Sequence, residues 1–355
     1  MTNYIFWLYH VFREQILDIP GRVIALVFFI LILLLPLITK EPIVLRIFTF
    51  AAIFAIYAAS WDLLAGFTGQ VNLGHALFFG ASAYTVGLLS IHFHNLPPWF
   101  AVSAGSVAAV MLGLLAGLPA LRLRGFYLSL VTLSFPVILS GFILLFHELT
   151  GGEVGLYGIR PLSNSRIIDY YIINLIMIFS VLVMWKLTDA RSKIIRLGVI
   201  LAAIREDEIA ARASGIQTTK YKLLSFAISG FFGGVAGGIY AHFMRTVGPS
   251  VLEMTFSFEA ILWTILGGMG TIYGSVTGVY ILYLFVEFLR FHPIGEQIRF
   301  VLFAIIMILF LLFMPQGICV WVRHKIEIQC RRCKIINLVT RHYCRSCGAP
   351  LRLER

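Results

Sequence analysis

The chain has 355 residues, 59% of them hydrophobic and only 13% charged, against roughly a quarter charged in an ordinary soluble domain. A mean hydropathy of +0.91 excludes a water-soluble globule, because too little polar sequence exists to cover one and most apolar residues must face lipid or other spanning helices. The net charge of +11 sits in two segments: 186–222 carries +4 from eight basic and four acidic residues, and 321–355 carries +7 from nine and two. Basic loops beside apolar spans are the positive-inside signature of membrane proteins, so no nucleic-acid partner is expected.

In chain order, residues 1–22 are mixed in character and lack a small-residue cleavage site after the first apolar run, so they read as a retained cytoplasmic segment. Ten runs long or apolar enough to span follow, near 23–39, 43–65, 71–92, 97–118, 126–147, 168–187, 222–243, 257–270, 272–290 and 298–320. Of these, 71–92 is Gly-rich and 257–270 is short. The expected fold is therefore an all-α polytopic membrane protein of about ten transmembrane helices, some broken or short, with its transmembrane domain over 23–320. With the N-terminus inside, 21 of the 28 Lys and Arg residues fall in inside segments, among them Arg13, Arg22, Arg122 and Arg124. That bias predicts both termini in the cytoplasm.

The second and third runs are joined by the stretch Ser60–Tyr84, SWDLLAGFTGQVNLGHALFFGASAY, where Asp62, Gln70, Asn72 and His75 interrupt apolar sequence together with several glycines. Unwound backbone is tolerated at membrane depth only where protein or a watery cavity covers it, and an ionisable residue there is costly. The four residues are candidates for lining a translocation path; a plain cytoplasmic turn with Asp62 at a helix end is the alternative. Gly recurs at every fourth position in Gly230/Gly234/Gly238 and Gly270/Gly274/Gly278, which predicts close helix packing more than substrate contact.

The basic loop 186–222 contains AAIREDEIAARASGIQTTKYKLLSF. Residues 202–213 are good helix formers, Ile204, Glu208 and Ala211 recur at helical spacing, and Gly215 stands where a helix C-cap would. Such an amphipathic helix suits either the membrane surface or a groove in a soluble partner. Neither this loop nor the rest of the chain contains a G-x-x-x-x-G-K-[ST] phosphate loop, nor even a Gly-Lys dipeptide, so ATP hydrolysis is not expected in this chain.

In the tail, 321–355, Cys330-x2-Cys333 and Cys344-x2-Cys347 form two knuckles able to bring four thiolates to one tetrahedral ion. A redox-inert structural zinc suits four thiolates best, with iron as the runner-up. So short a segment hardly buries a core without metal. Cys319, at the end of the last span, reads as a packed apolar residue. The ribbon serves as an inert cap, as a grip on a partner, or, through Arg331, Arg332, Lys334, Arg341 and Arg345, as a site for anionic lipid; metal or redox sensing is a further option.

The segments TGQVNLGHALFFGASAY, LRLRGFYLSLVTLSF, LTGGEVGLYGI, AIREDEIAARASGI, KLLSFAISGFFGGVAGGIYA and LGGMGTIYGSVTG occur in the order expected of the permease subunits of Liv-type branched-chain amino acid ABC importers, and the chain resembles their LivM-like subunit over about 45–290. The resemblance implies a bacterial or archaeal plasma-membrane permease for branched-chain or related amino acids. It also implies four kinds of associate: a LivH-like second permease, two cytoplasmic ABC ATPase subunits, an extracytoplasmic binding protein and membrane lipid. By the same resemblance, Ile204, Arg205, Glu206, Asp207, Glu208 and Ala211 belong to the segment that seats in the ATPase, and the loop 147–166 faces the binding protein or lines the entrance. Permeases for urea or short amides share much of the pattern, and the cysteine-bearing tail departs from the family core. Two readings of other classes compete: an ion-coupled secondary transporter with Asp62, His75, Glu253, Glu259 and Glu287 as relay candidates, and a membrane-anchored zinc-ribbon regulator.

Overall fold

The computed structural model describes residues 20–93, 95–120, 123, 125–189, 196–290, 296–333, 336–339, 341–344 and 347–351. The expectations for residues 1–19, Arg122, Arg124, Lys334 and Arg345 lie outside them. The helices in chain order are α1 (Pro20–Ile38), α2 (Pro42–Thr68), α3 (Ala76–His92), α4 (Pro98–Ala120), α5 (Phe126–Leu145), the single turn α6 (His147–Thr150), α7 (Arg166–Thr188), α8 (Leu197–Glu206) and α9 (Glu208–Ala213). After these come α10 (Thr218–Met244), α11 (Met254–Gly267), α12 (Ile272–Arg290), α13 (Glu296–Phe313) and α14 (Ile318–Ile326). Two small antiparallel pairs complete the chain, β1 (Leu156–Tyr157) with β2 (Thr246–Val247) and β3 (Glu327–Gln329) with β4 (Ile336–Leu338).

Among the described residues, seven helices are long and apolar enough to cross a membrane, and three shorter apolar helices accompany them. Each falls on one of the ten apolar runs. The last long one, Val301–Ile326, is interrupted at 314–317, where Gly317 at φ +84° separates α13 from α14. The third run is helical only from Ala76, because 69–75 is unwound.

α2 is the hub, packed against α7, α10, α11 and α12. Ala51, Ala52, Ala55, Ala58 and Ala59 are all fully buried along it, and such small residues let neighbouring backbones approach closely where no hydrophobic effect between helices operates. α3, α4 and α10 form a second tight group. A Cβ on Gly234 would lie 2.8 Å from Ser106 Cα of α4, and Gly230 and Gly238 face Phe78 and Ser82 of α3, so the first glycine run is a packing face. The second run divides. Gly274 and Gly278 lie on α12 against the α11 backbone, whereas Gly270, at φ +78°, belongs to the turn before α12.

α2 and α10 are antiparallel, because Phe50 meets Phe243 at one level and Ser229 Oγ donates to Ser60 O at another. One end of the molecule therefore gathers the end of α2, the start of α10, α8 and the turn 268–271. The other gathers β1 and β2, where Arg160 N donates to Ser90 Oγ and Ile159 N to Arg245 O. α5 and α13 are the least covered long helices, with 28% and 11% of their spanning windows buried. Their apolar faces are left for lipid or a neighbouring subunit.

Candidate functional site

The sequence between α2 and α3 cannot continue as helix because Gly69 closes α2 in the left-handed region, φ +71°, with its N–H bonded to Ala65 O. Residues 69–75 then run unwound among α2, α5 and α10. Their polar backbone is satisfied piecemeal: Leu73 N donates to Thr132 Oγ1, Val71 O accepts from Ser129 Oγ, and Gly74 N donates to Asn72 Oδ1 at 2.9 Å. Gly74 is required by close approach, since a Cβ there would overlap the Thr132 carbonyl of α5.

Asp62, Gln70, Asn72 and His75 are all buried, at 0, 2, 2 and 0% exposure. Three successive residues of α2 fasten two segments: Ser60 and Trp61 hold the unwound stretch 69–75, and Asp62 holds the turn at Gly270. Ser60 Oγ lies 2.8 Å from His75 Nε2, Trp61 Nε1 donates to Asn72 O at 2.7 Å, and Asp62 Oδ1 accepts from Gly270 N at 2.7 Å. Asn72 thus holds its own loop. Gln70 differs from it: neither side-chain amide atom has a hydrogen-bond partner among the described residues. Asp62 Oδ2, His75 Nδ1, Tyr57 Oη and Ser275 Oγ also lack a well-aligned partner among the described residues, with Ser275 beside Asp62 and Ser257 beside Tyr57, and the Tyr57 and His75 rings lie 4.8 Å apart. So many buried polar atoms without a well-aligned partner around one unwound segment are costly unless water or a ligand reaches them.

Ser60, Trp61, Gly66 and Gly270 were not singled out as site residues in the sequence. Gly66 is held small because a Cβ would strike Asp62 Oδ1 and lie 2.6 Å from Gly270 N. The spacing Asp62-x3-Gly66 was readable as one helix face; the partner 208 residues away was not. Of the other acidic relay candidates, Glu259 of α11 lies close enough to Tyr57 to act on it electrostatically, and the remaining two stand apart. Glu287 pairs with Arg290 at 2.8 Å, and Glu253 is exposed at the far end of α11 from the Gly270 turn.

The segment 202–213 is two helices rather than one. Asp207 adopts extended geometry, φ −153°, and its Oδ1 accepts from Ile209 N and Ala210 N, so it ends α8 and caps α9. Gly215, at φ +85°, closes α9 with Gly215 N on Arg212 O and Ile216 N on Ala211 O. Ile204 and Ala211 are buried inward. Glu208 is committed within the chain, at 2.6 Å from Lys222 Nζ and 3.0 Å from Arg212 Nη2. Glu206 and Asp207 are exposed, as is Ile209 at 68%, an apolar side chain outside the spans that sequence periodicity assigned no role. Arg205 turns back toward α2, its Nη1 donating to Gly66 O at 2.5 Å.

In the tail, the four Sγ atoms of Cys330, Cys333, Cys344 and Cys347 lie within 4.8 Å of one another. The pairs Cys330–Cys347 and Cys333–Cys344 are 3.6 and 3.4 Å apart, near the roughly 3.8 Å edge of a tetrahedron with 2.3 Å zinc–sulfur bonds and far beyond a disulfide bond. The backbone N–H of Cys333 holds the Cys330 thiol below its ordinary range, and Asn337 Nδ2 points at Cys344 Sγ from 3.5 Å. Gly348, at φ +65°, turns the second knuckle, with its N–H on Cys344 O. The donor set fits a metal ion. Cys319 is no part of it and instead meets Thr277 Oγ1 of α12 at 2.7 Å.

Seven helices long and apolar enough to cross a membrane, packed round a buried, unwound and polar segment, make this a polytopic membrane protein. The chain belongs to the family described as branched-chain amino acid transport system / permease component, which matches residues 43–311 and leaves the cysteine-bearing tail outside. It is 27% identical over 315 residues to the high-affinity branched-chain amino acid transport system permease protein LivM of Salmonella typhimurium, covering 81% of this chain and 72% of that one. The LivM of Escherichia coli is also 27% identical, over 79% of this chain and 71% of its own. The Escherichia coli permease protein LivH is 25% identical, over 76% and 92%. No solved structure matches the chain.

Proposed function

We propose that this chain is the LivM-like half of a translocation path for branched-chain or related amino acids in an importer driven by ATP hydrolysis in partner subunits. The observation that carries the reading is the buried unwound segment 69–75 with, around it, polar atoms of Gln70, His75, Asp62 and Tyr57 that lack a well-aligned partner. Discontinuous backbone at depth is how transport proteins offer polar contacts to a solute without exposing them to lipid. Apolar and aromatic walls beside it, including Tyr57, Phe79 and Phe256 in mutual ring contact, suit a solute with a branched apolar side chain.

On this reading the second permease is LivH-like, two cytoplasmic ABC ATPases serve the pair, one of them seating on the outward face of the segment 204–211 formed by Glu206, Asp207 and Ile209, and an extracytoplasmic binding protein delivers the solute to the end formed by β1 and β2. The support for that polarity is charge: the end holding α8, α9 and the tail is the basic one. Both termini are then cytoplasmic in a bacterial or archaeal plasma membrane. Cys330, Cys333, Cys344 and Cys347 hold a structural zinc, which supplies a redox-inert cross-link between the two knuckles.

Reconstitution of the whole complex in vesicles tests the reading. Uptake of a branched-chain amino acid that requires ATP and the binding protein, and survives collapse of proton and sodium gradients, is the expected result. Uptake that follows the ion gradient without ATP would identify a secondary transporter, and uptake of urea or a short amide in place of amino acids would reassign the solute.

A further inference from the structure

We propose that Arg205 is a latch that transmits movement of the partner-facing segment to the seam between the end of α2 and the turn 268–271; the proposal rests on the reading of 204–211 as that segment. α8 is seated by Leu197, Leu201 and Ile204, which are buried toward the bundle, while Arg205 begins on its outer side. The arginine stem crosses Gly69, with Cγ 3.5 Å from the position a Cβ would take there, and Nη1 lies 3.0 Å from the corresponding position at Gly270. Nη1 donates to Gly66 O at 2.5 Å. Gly69 and Gly270, from two segments far apart in sequence, thus leave the space along which the side chain of Arg205 lies, and Gly66 supplies the carbonyl at its end.

Gly66 O is one of the last four carbonyls of α2, which have no partner within the helix. A cation there also complements the negative end of the helix dipole. On the other side of that space, Gly270 N is held by Asp62 Oδ1, and the positive charge of Arg205 acts on that carboxylate as well. One side chain therefore bonds the end of α2, covers the turn before α12 and grows from α8. Displacing α8 either carries the seam with it or breaks the Gly66 bond. The unwound segment 69–75 begins at this point, so its geometry follows the latch.

Two measurements on Arg205→Ala, Arg205→Gln and Arg205→Lys test the proposal. Hydrogen exchange on the isolated chain needs no ATPase: Arg205→Ala is expected to raise exchange at 66–75 and 268–271 at least tenfold while leaving 156–160 and 245–248 unchanged. In the reconstituted complex, solute moved per ATP hydrolysed is expected to fall at least tenfold with ATPase assembly intact, and Gln or Lys, which still offer a donor to Gly66 O, to restore part of it. Unchanged exchange, or an unchanged transport ratio, overturns the latch. Loss of ATPase binding in Arg205→Ala overturns it too, by making Arg205 a docking residue. Ile209→Asp separates the two levels: if that variant also keeps full assembly and coupling, the segment assignment itself fails; if it does not, an inert Arg205→Ala refutes the latch alone.

Discussion

At the residue scale, the carboxyl group of Asp62 is fully buried in α2, with one oxygen on Gly270 N and the Ser275 hydroxyl beside it. A hydrogen bond contributes about 1 kcal/mol, and a buried amide left without an acceptor costs about 1–3 kcal/mol. Asp62→Ala is therefore expected to lower the thermal unfolding temperature of the detergent-purified chain, whereas Asp62→Asn, which keeps an acceptor oxygen, retains most of the stability. Gly66→Ala is the steric counterpart. Its Cβ would occupy the space of Asp62 Oδ1 and crowd the Gly270 backbone, and overpacking of this kind costs roughly 1–3 kcal/mol; the same melting assay reads it. The polar residues of 62–75 stand out in sequence because ionisable and amide groups are rare in apolar runs. Their partners do not, because Gly270 is bonded through its backbone and Ser60 and Trp61 look like ordinary helix residues.

At the element scale, α8 and α9 form a bracket rather than a single helix. The bracket is tied down from inside: Glu208 bonds Arg212, Thr218 and Lys222, which leaves Glu206 and Ile209 outward. Ile209→Asp is expected to abolish ATPase association at least tenfold without changing the chain's helicity, checked by pull-down and circular dichroism. Helix propensity alone reads straight through Asp207, although an acidic residue followed by Glu208 in a first turn is a recognisable start signal. The four thiols of the tail were legible because two C-x2-C pairs at short separation have few other uses. Chelation is expected to abolish ordered structure in the β3–β4 ribbon while leaving the spans intact, read by proteolysis of the tail against unchanged far-ultraviolet dichroism. Metal competes with protons for thiolates, so occupancy falls as pH falls through the thiol range; a chelator titration at several pH values checks the sign.

At the scale of the whole molecule, the apolar runs located the spans well because length and hydropathy report directly on crossing a bilayer. How those spans pack was legible only at the Gly230/Gly234/Gly238 face, since in lipid small residues and isolated hydrogen bonds decide contacts that a hydrophobic pattern does not encode. α2 sits at the centre with both of its faces occupied, and elements from both halves of the chain close on it. The distance in sequence between Asp62 and its amide also has a meaning in time. A ribosome adding about 5–20 residues per second needs roughly 10–40 s to produce the 208 residues that separate them. Throughout that interval the carboxyl of Asp62 lacks the Gly270 amide that holds it in the finished fold. A chain stopped after residue 267 never escapes that state. Asp62→Ala is expected to lengthen the lifetime of the stopped chain and shorten that of the complete one, opposite signs that a pulse-chase measurement in cells would register.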